Sequence, residues 1–138
     1  MRILFVIIIL FVSEIVFSQS KPLTKEDTLF GSSTAYRSWW DVKTYMVEVK
    51  PDFIRKSISG SNIIFYQVIS DSLPFVMQLD LQEPMKIDSV FYDDEKINTF
   101  KKENNRWMVS LENQIKNSRH VLNVFFSDKP KVAKNPPW

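Results

Sequence analysis

The sequence predicts an all-β domain, an antiparallel β-sandwich of about seven or more short strands. Segments in which apolar and polar residues alternate with a period of two recur along the chain. Turn-forming residues separate these segments at short intervals, and almost no stretch has the periodicity of a helix. Short alternating strands joined by regular turns are typical of antiparallel sandwiches and barrel-like sheets. We therefore expect one sandwich domain over residues 39–128.

Seven segments carry this signal. They cover residues 45–50, 58–69, 75–81, 87–92, 96–100, 107–111 and 121–126. The first ends at Pro51-Asp52 and the third at Glu83-Pro84, because proline cannot donate the next hydrogen bond of a strand ladder. Asp93-Asp94 predicts a tight turn after the fourth segment, and Asn104-Asn105 predicts the turn before the sixth.

Gly60 lies inside the second segment. The string Ser59-Gly60-Ser61-Asn62 could form a hairpin turn, but a turn there would divide the segment into two unequal pieces. We expect a continuous strand in which Gly60 occupies a bulge or a place where two backbones approach closely.

The amino terminus has the layout of a secretory signal peptide. Arg2 precedes the uninterrupted apolar run Ile3–Val12, and the small residue Ser18 closes the segment. We expect cleavage of residues 1–18 and export of the mature chain to the periplasm or the extracellular space. The alternative is a membrane anchor. We expect no stable anchor, because the run is shorter than the roughly 20 apolar residues of a spanning helix and Glu14 interrupts its continuation.

Charge and cysteine content narrow the classes of function. With 18 lysine and arginine residues against 16 aspartate and glutamate residues, the formal net charge is +2. A balance so close to neutral gives no electrostatic case for nucleic acid or an anionic membrane as a partner. The chain has no cysteine, so an exported domain must be stabilised by a packed core.

Residues 19–38 are predicted to form an irregular lead-in, and residues 129–138 to form the start of a linker.

Candidate catalytic and metal-binding residues are few. His120 is the only histidine, and a hydrolytic zinc site needs about three protein ligands. We expect His120 to be a strand-edge residue satisfied by water or a backbone carbonyl, because no Ser, Cys or second His stands at a recognisable spacing. Asp93-Asp94-Glu95 could bind calcium, but consecutive acids without a glycine fit a plain turn better. We therefore predict no catalytic residue and no metal ligand in this segment.

Two predicted strands are apolar on both faces. Ile63 and Phe65 alternate with apolar neighbours on one strand, and Val121 and Phe125 do so on the last strand. Strands that are apolar on both faces are covered on both faces, whereas each sheet of a lone sandwich has one wet face. We predict that Ile63, Phe65, Val121 and Phe125 form a surface that another domain or chain covers.

The many aromatic residues leave a second interpretation open. A free-standing secreted module could use exposed rings to bind a carbohydrate or a protein partner, with Trp39 or Trp107 among them. Strand cores bury aromatic residues routinely, so we expect most of these rings to be packing residues. The exposure of the rings discriminates between the two interpretations.

Several strings stand in a definite order along the chain. They are Arg37–Tyr45, Ile58–Asn62, Asp80–Val90, Pro130-Lys131 and Asn135–Trp138. In this order they resemble the amino-terminal domain of exported bacterial zinc aminopeptidases of the aminopeptidase N family, over Arg37–Trp138. The residues that carry the resemblance are Trp40, Asp41, Gly60, Asp80, Leu81, Pro84, Pro136, Pro137 and Trp138. One departure is Asp128, where the family pattern has a glycine before Lys-Pro.

The resemblance implies a saddle-shaped β-sandwich that packs on a thermolysin-like catalytic domain of the same polypeptide. In that family the catalytic domain binds zinc through H-E-x-x-H and a later Glu, and hydrolyses peptide substrates from their amino terminus. None of those positions falls within this chain. No cofactor is therefore expected in this segment, and zinc is expected in a catalytic domain beyond it. The implied role of the segment is a scaffold that helps to wall the substrate cleft.

The last residues agree with a longer protein. Trp138 follows Pro136-Pro137 at the end of the sequence, and a large apolar ring normally packs against a surface. We expect the chain to be the front portion of something larger.

Overall fold

The computed structural model describes residue 24, residues 32–71 and residues 74–132. These residues contain eight strands and no helix. The strands are β1 (Trp40–Asp52), β2 (Ser57–Val68), β3 (Val76–Asp80), β4 (Lys86–Tyr92), β5 (Glu95–Ile97), β6 (Phe100–Glu103), β7 (Arg106–Ser110) and β8 (Arg119–Asp128). None of the described residues belongs to a helix that could span a lipid bilayer. The predicted signal peptide lies outside the described residues.

The strands form two antiparallel sheets. One has five strands in the order β1-β2-β8-β4-β5, and the other has three strands in the order β3-β7-β6. Every paired strand runs antiparallel to its neighbour. The predicted all-β class and antiparallel sheet arrangement are therefore confirmed.

The fifth predicted segment, residues 96–100, is wrong as a single strand. Glu95–Ile97 pairs with β4 in the five-stranded sheet, whereas Phe100–Glu103 pairs with β7 in the three-stranded sheet. The chain passes from one sheet to the other at Asn98-Thr99. Ile97 and Phe100 both pack against the same core. Because apolar residues flank Asn98-Thr99 on both sides, the sequence pattern does not show that the chain changes sheets there.

The predicted turns are confirmed. Asp93 and Asp94 have φ values of 45° and 69°, which place both residues of the β4–β5 hairpin in the left-handed region. Asn104 has a φ of 58° between β6 and β7. Aspartate and asparagine tolerate this region better than most residues, because their short side chains can bond to the local backbone.

The core lies between the two sheets. Alternate residues of β2 and β8, such as Ile64 and Leu122, point inward and are buried. The cluster of buried residues comprises Trp39, Ile64, Tyr66, Val68, Met77, Ile87, Val90, Trp107, Val109, Leu111, Leu122 and Val124. The Trp39 indole N–H donates to the Val76 carbonyl at 3.0 Å, so the large ring is buried without an unpaired donor. Burial of such side chains supplies about 1.5–3 kcal/mol each and is the main stabilising contribution of the fold.

Gly60 occupies a close backbone approach in a continuous β2, as predicted. It pairs with Val49 of β1 and with Phe126 of β8, and its φ is not positive. A Cβ atom at this position would overlap the Glu48 carbonyl oxygen and would lie 2.9 Å from Phe126 Cζ. Glycine is therefore required by the space between adjacent strands rather than by its conformational freedom.

We predict that Gly60→Ala lowers the free energy of unfolding by about 1–3 kcal/mol, because the Glu48 backbone cannot retreat without weakening the β1–β2 ladder. Urea denaturation measures the change. Ser59→Ala is the matched control, since Ser59 is exposed and this substitution should change stability by less than about 0.5 kcal/mol. Equal stability of Gly60→Ala and the wild type would contradict the close approach.

Candidate functional site

The four residues predicted to meet another domain lie together on one face of the five-stranded sheet. Phe65 pairs directly with Val121, Ile63 pairs with Asn123, and Phe125 pairs with Ser61. Ile63, Phe65 and Val121 are half-buried, whereas Phe125 is 37% exposed. We call the face that these four residues form the outer face, because it is opposite the core.

The outer face has a further aromatic residue. Phe91 of β4 lies opposite Asn123 of β8, and its ring centroid is 5.7 Å from that of Phe125, edge to face. Sequence reasoning missed Phe91 because the pairing of β4 with β8 joins segments that are distant in the sequence. The outer face thus carries apolar side chains on three adjacent strands, with Ser61 and Asn123 among them, and its coverage by another domain remains a prediction.

The predicted partners of His120 were wrong. His120 lies at the start of β8, but β8 is the central strand of its sheet, and side chains surround the ring. Its Nδ1 atom is 2.7 Å from Asp93 Oδ2 and 2.9 Å from Tyr92 Oη, and its Nε2 atom is 2.8 Å from Ser118 Oγ. The pairing of β4 with β8 brings these groups together, and no spacing in the sequence indicated it.

Ser118, His120 and Asp93 have the distances of a nucleophilic triad. The Ser118 hydroxyl donates to the Ile115 carbonyl at 2.5 Å, and Ser118 Oγ also lies 2.8 Å from His120 Nε2. A hydroxyl has one proton, and a nucleophilic serine must donate it to the imidazole, so the bond to the Ile115 carbonyl competes with that role. The same bond ties residue 118 to residue 115 in the turn that precedes β8.

The polar contacts extend into the protein through Gln114. The Tyr66 hydroxyl donates to Gln114 Oε1 at 2.9 Å, and Gln114 Nε2 donates to Tyr92 Oη at 2.9 Å and to the Glu112 carbonyl at 3.0 Å. Burial raises the pKa of Tyr66 well above its usual range, and nearby Tyr92 and Asp93 act in the same direction. This network holds the loop of residues 111–118 against β2, β4 and β8. Its role is structural, since each buried group has a partner.

A cleft of about 780 Å³ opens between β1 and β3. The Arg37 guanidinium contacts the Asp80 carboxylate, and Gln78 Nε2 donates to Asp80 Oδ1 at 2.9 Å. Trp40, Asp41, Asp80 and Leu81, four of the resemblance residues, are among those that line the cleft. The first and third strings of the resemblance therefore meet through an ion pair between the lead-in and β3. The described residues that line the cleft include no serine, cysteine or histidine.

The remaining resemblance residues lie apart from the cleft or outside the described residues. Pro84 is exposed in the turn between β3 and β4, and Pro136, Pro137 and Trp138 are outside the described part of the chain. Asp128, which stands where the resemblance implies glycine, has a φ of 137°. This value lies in the region that favours glycine, so Asp128 holds a backbone conformation that glycine adopts more readily.

The ligand chemistry of zinc does not fit the described residues. Across residues 32–71 and 74–132, no group of three or more histidine, cysteine, aspartate or glutamate side chains is placed to hold a metal ion. His120 and Asp93 are paired with each other, and zinc usually takes at least three protein ligands. No step of metal chemistry is assigned to these residues.

The fold is similar to part of several solved zinc metallopeptidases and related enzymes. The chain matches the M1 zinc metallopeptidase from Deinococcus radiodurans with a TM-score of 0.57 at 14% sequence identity, over 73% of this chain and 23% of that one. It matches native yeast LTA4 hydrolase with a TM-score of 0.57 at 18% identity, over 67% and 15%. Aminopeptidase A from Legionella pneumophila matches with a TM-score of 0.52 at 12% identity, over 64% and 10%.

No family model and no curated protein matches the sequence. The structural matches confirm the fold that the resemblance implied. The chain spans less than a quarter of the length of the Deinococcus radiodurans enzyme.

We predict that Tyr66→Phe lowers stability at neutral pH by about 1–3 kcal/mol, because it leaves the buried Gln114 Oε1 without a donor. The change also alters the response to alkali. Because the pKa of native Tyr66 is raised, the unfolded chain loses this proton near pH 10 while the native chain keeps it. Wild-type stability therefore falls above about pH 10, by up to about 1.4 kcal/mol per pH unit from this residue.

Urea denaturation between about pH 8 and pH 11 tests both effects. Tyr66→Phe should show a shallower alkaline decline than the wild type. Tyr45→Phe is the control at neutral pH, since Tyr45 is largely exposed and its loss should change stability by less than about 0.5 kcal/mol. An unchanged alkaline decline in Tyr66→Phe would contradict the proposed burial of its hydroxyl.

Proposed function

We propose that this chain is the amino-terminal β-sandwich of an exported zinc aminopeptidase-like metallopeptidase. In this role its outer face packs on a catalytic domain of the same polypeptide. The observation that carries the proposal is the match in fold to M1 zinc metallopeptidases, of which the chain covers about a fifth of the length. The ordered strings around Trp40, Gly60, Asp80 and Pro84 support it independently.

The outer face supports a docking role on physical grounds. Ile63, Phe65, Val121 and Phe125 place apolar surface on the side of the sheet opposite the core. Burial of apolar surface is worth roughly 25 cal/mol per Å². A few hundred Å² then corresponds to several kcal/mol, which is comparable with the whole stability of a small domain. A surface of this kind is costly to leave in water and is the natural site for a partner domain.

The chemistry of peptide hydrolysis belongs to the catalytic domain in this proposal. Zinc bound there would polarise the peptide carbonyl and lower the pKa of its bound water. The sandwich would contribute a rigid wall of the substrate cleft. The ion pair of Arg37 with Asp80 and the network around Gln114 fix the lead-in and the loop of residues 111–118, and such rigidity suits a scaffold.

The alternative is a free-standing module that binds a carbohydrate. The two tryptophan rings that we expected it to use are not accessible to a ligand. Trp39 is 1% exposed and Trp107 is 8% exposed, and both belong to the core. A carbohydrate platform requires aromatic faces that are open to solvent. These two tryptophans therefore favour the scaffold.

The reading frame of the gene beyond Trp138 tests the proposal. We expect it to continue and to encode H-E-x-x-H with a glutamate farther on, since these residues supply the zinc ligands and the general base. A stop codon directly after Trp138 in an intact gene, with no such motif downstream, would overturn the proposal.

We predict that residues 19–138 expressed alone self-associate, and that Phe65→Ser with Phe125→Ser raises the monomer fraction while barely lowering the melting temperature. The reason is that both rings lie on the outer face and not in the core. Size-exclusion chromatography and thermal unfolding measure the two effects.

Leu122→Ser is the matched control on the opposite face. Leu122 is fully buried, so this substitution should cost about 3 kcal/mol or more and should not improve solubility. If the double substitution on the outer face unfolds the domain as Leu122→Ser does, the two phenylalanines belong to the core and the docking surface is wrong.

A further inference from the structure

The tip of the β1–β2 hairpin exposes two adjacent large apolar side chains. Phe53 is 87% exposed and Ile54 is 96% exposed. The turn that presents them is ordered by its own contacts. The Arg55 backbone N–H donates to Asp52 Oδ1 at 2.8 Å, and Lys56 closes the turn with a φ of 52°. The two apolar side chains are therefore held outward by a defined turn.

Positive charge surrounds this tip. Lys50 precedes it, Arg55 and Lys56 follow Ile54 directly, and all three side chains are exposed. These cations stand within a few residues of the apolar pair on both sides. An apolar tip between cations has the pattern of a segment that meets an anionic lipid surface.

The pairing of the strands adds more cations at the same end of the sheet. Ile58 of β2 pairs with Asp128 of β8, so exposed Lys129 and Lys131 leave the sheet beside the hairpin. Exposed Lys86 pairs with Ser127 at this end. Four nearby carboxylates offset part of this charge. Asp52 and Asp128 pair with Arg55 and Lys86, and Glu48 and Asp88 line one recess together with Lys50. The six cations therefore leave a surplus of two positive charges at this end, which equals the formal net charge of the whole chain.

We propose that this end of the sheet docks reversibly on an anionic lipid surface, with Phe53 and Ile54 inserted at the interface and the cations beside the lipid phosphates. The shape of the tip favours lipid over protein. A protein partner would need a complementary pocket for two protruding side chains, whereas a fluid bilayer accepts them without one. Lipid phosphates border the apolar layer of a membrane, as exposed Lys50, Arg55 and Lys56 flank the two apolar side chains.

This inference is independent of the proposed function. The hairpin tip and the outer face are different surfaces, and neither experiment uses the residues of the other. Two inserted side chains give weak, reversible contact and not a stable anchor.

The absence of cysteine allows a site-specific test. Ile54→Cys carries the only thiol of the chain and is labelled with an environment-sensitive fluorophore. Ile115→Cys is the matched control, because Ile115 is 72% exposed and lies in the loop at the opposite end of β8. Each labelled protein is expressed with its own leader, purified after export, and mixed with phosphatidylcholine vesicles with or without about one third phosphatidylglycerol.

We expect a blue shift and a several-fold rise in fluorescence only for the label at residue 54 and only with anionic vesicles. The proposal would be overturned if the label at residue 54 responded no more than the label at residue 115. Docking of the tip on a protein, and not on lipid, would give that result. An equal response to neutral vesicles would also overturn it, because the cations would then have no role.

Vesicle sedimentation supplies the second measurement. Phe53→Ser with Ile54→Ser should lower the partition coefficient on anionic vesicles by about tenfold or more, because two apolar side chains are no longer transferred from water into the membrane. Lys50→Gln, Arg55→Gln and Lys56→Gln together should lower it by a similar factor and weaken its dependence on salt.

Lys96→Gln, Lys101→Gln and Lys116→Gln remove the same net charge away from the tip and serve as the control. All variants share one amino terminus, so its contribution to binding cancels. Equal losses of binding in the two sets of charge substitutions would contradict a docking site at the hairpin.

Discussion

Strands β2 and β8 pair residue by residue from Ile58 to Gln67 in the middle of the five-stranded sheet. The alternation along this pair divides the apolar side chains between two faces. Ile64 and Leu122 point to the three-stranded sheet and form the core. Phe65 and Val121, one residue away on each strand, point to the other side. A shift of one residue in this pairing would exchange the two faces, so the register of β2 with β8 determines both the core and the outer face.

The same pairing positions the hairpin tip, since it places the end of β8 beside the turn between β1 and β2. On the other side of β8, the pairing with β4 brings Asp93 to His120. Gly60 lets Phe126 lie over β2 while Glu48 approaches from β1. The core, the polar network and the charged end of the sheet thus all depend on the two neighbours of β8.

Local patterns predicted the fold class, the continuous β2 and the turn at Asp93-Asp94, because alternation and turn chemistry depend on neighbouring residues. The corner at Asn98-Thr99 was missed because Ile97 and Phe100 pack on the same core from two sheets. The partners of His120 and the contact of Arg37 with Asp80 depend on strand pairing between distant segments. The spacing of residues along a single sequence does not reveal which distant strands pair. The net charge of the sequence did not predict the charged end of the sheet either, because a sum over all residues does not show where the exposed cations lie.

The central claim is that the outer face is covered by a catalytic domain of the same polypeptide. Hydroxyl-radical labelling of side chains, read by mass spectrometry, tests it in the complete translated protein and in residues 19–138, the latter diluted until size-exclusion chromatography shows a monomer. We predict that Phe65 and Phe125 are modified several-fold less in the complete protein, while exposed Ile115 is modified equally in both. Equal modification of Phe65 and Phe125 in the two proteins would contradict the claim.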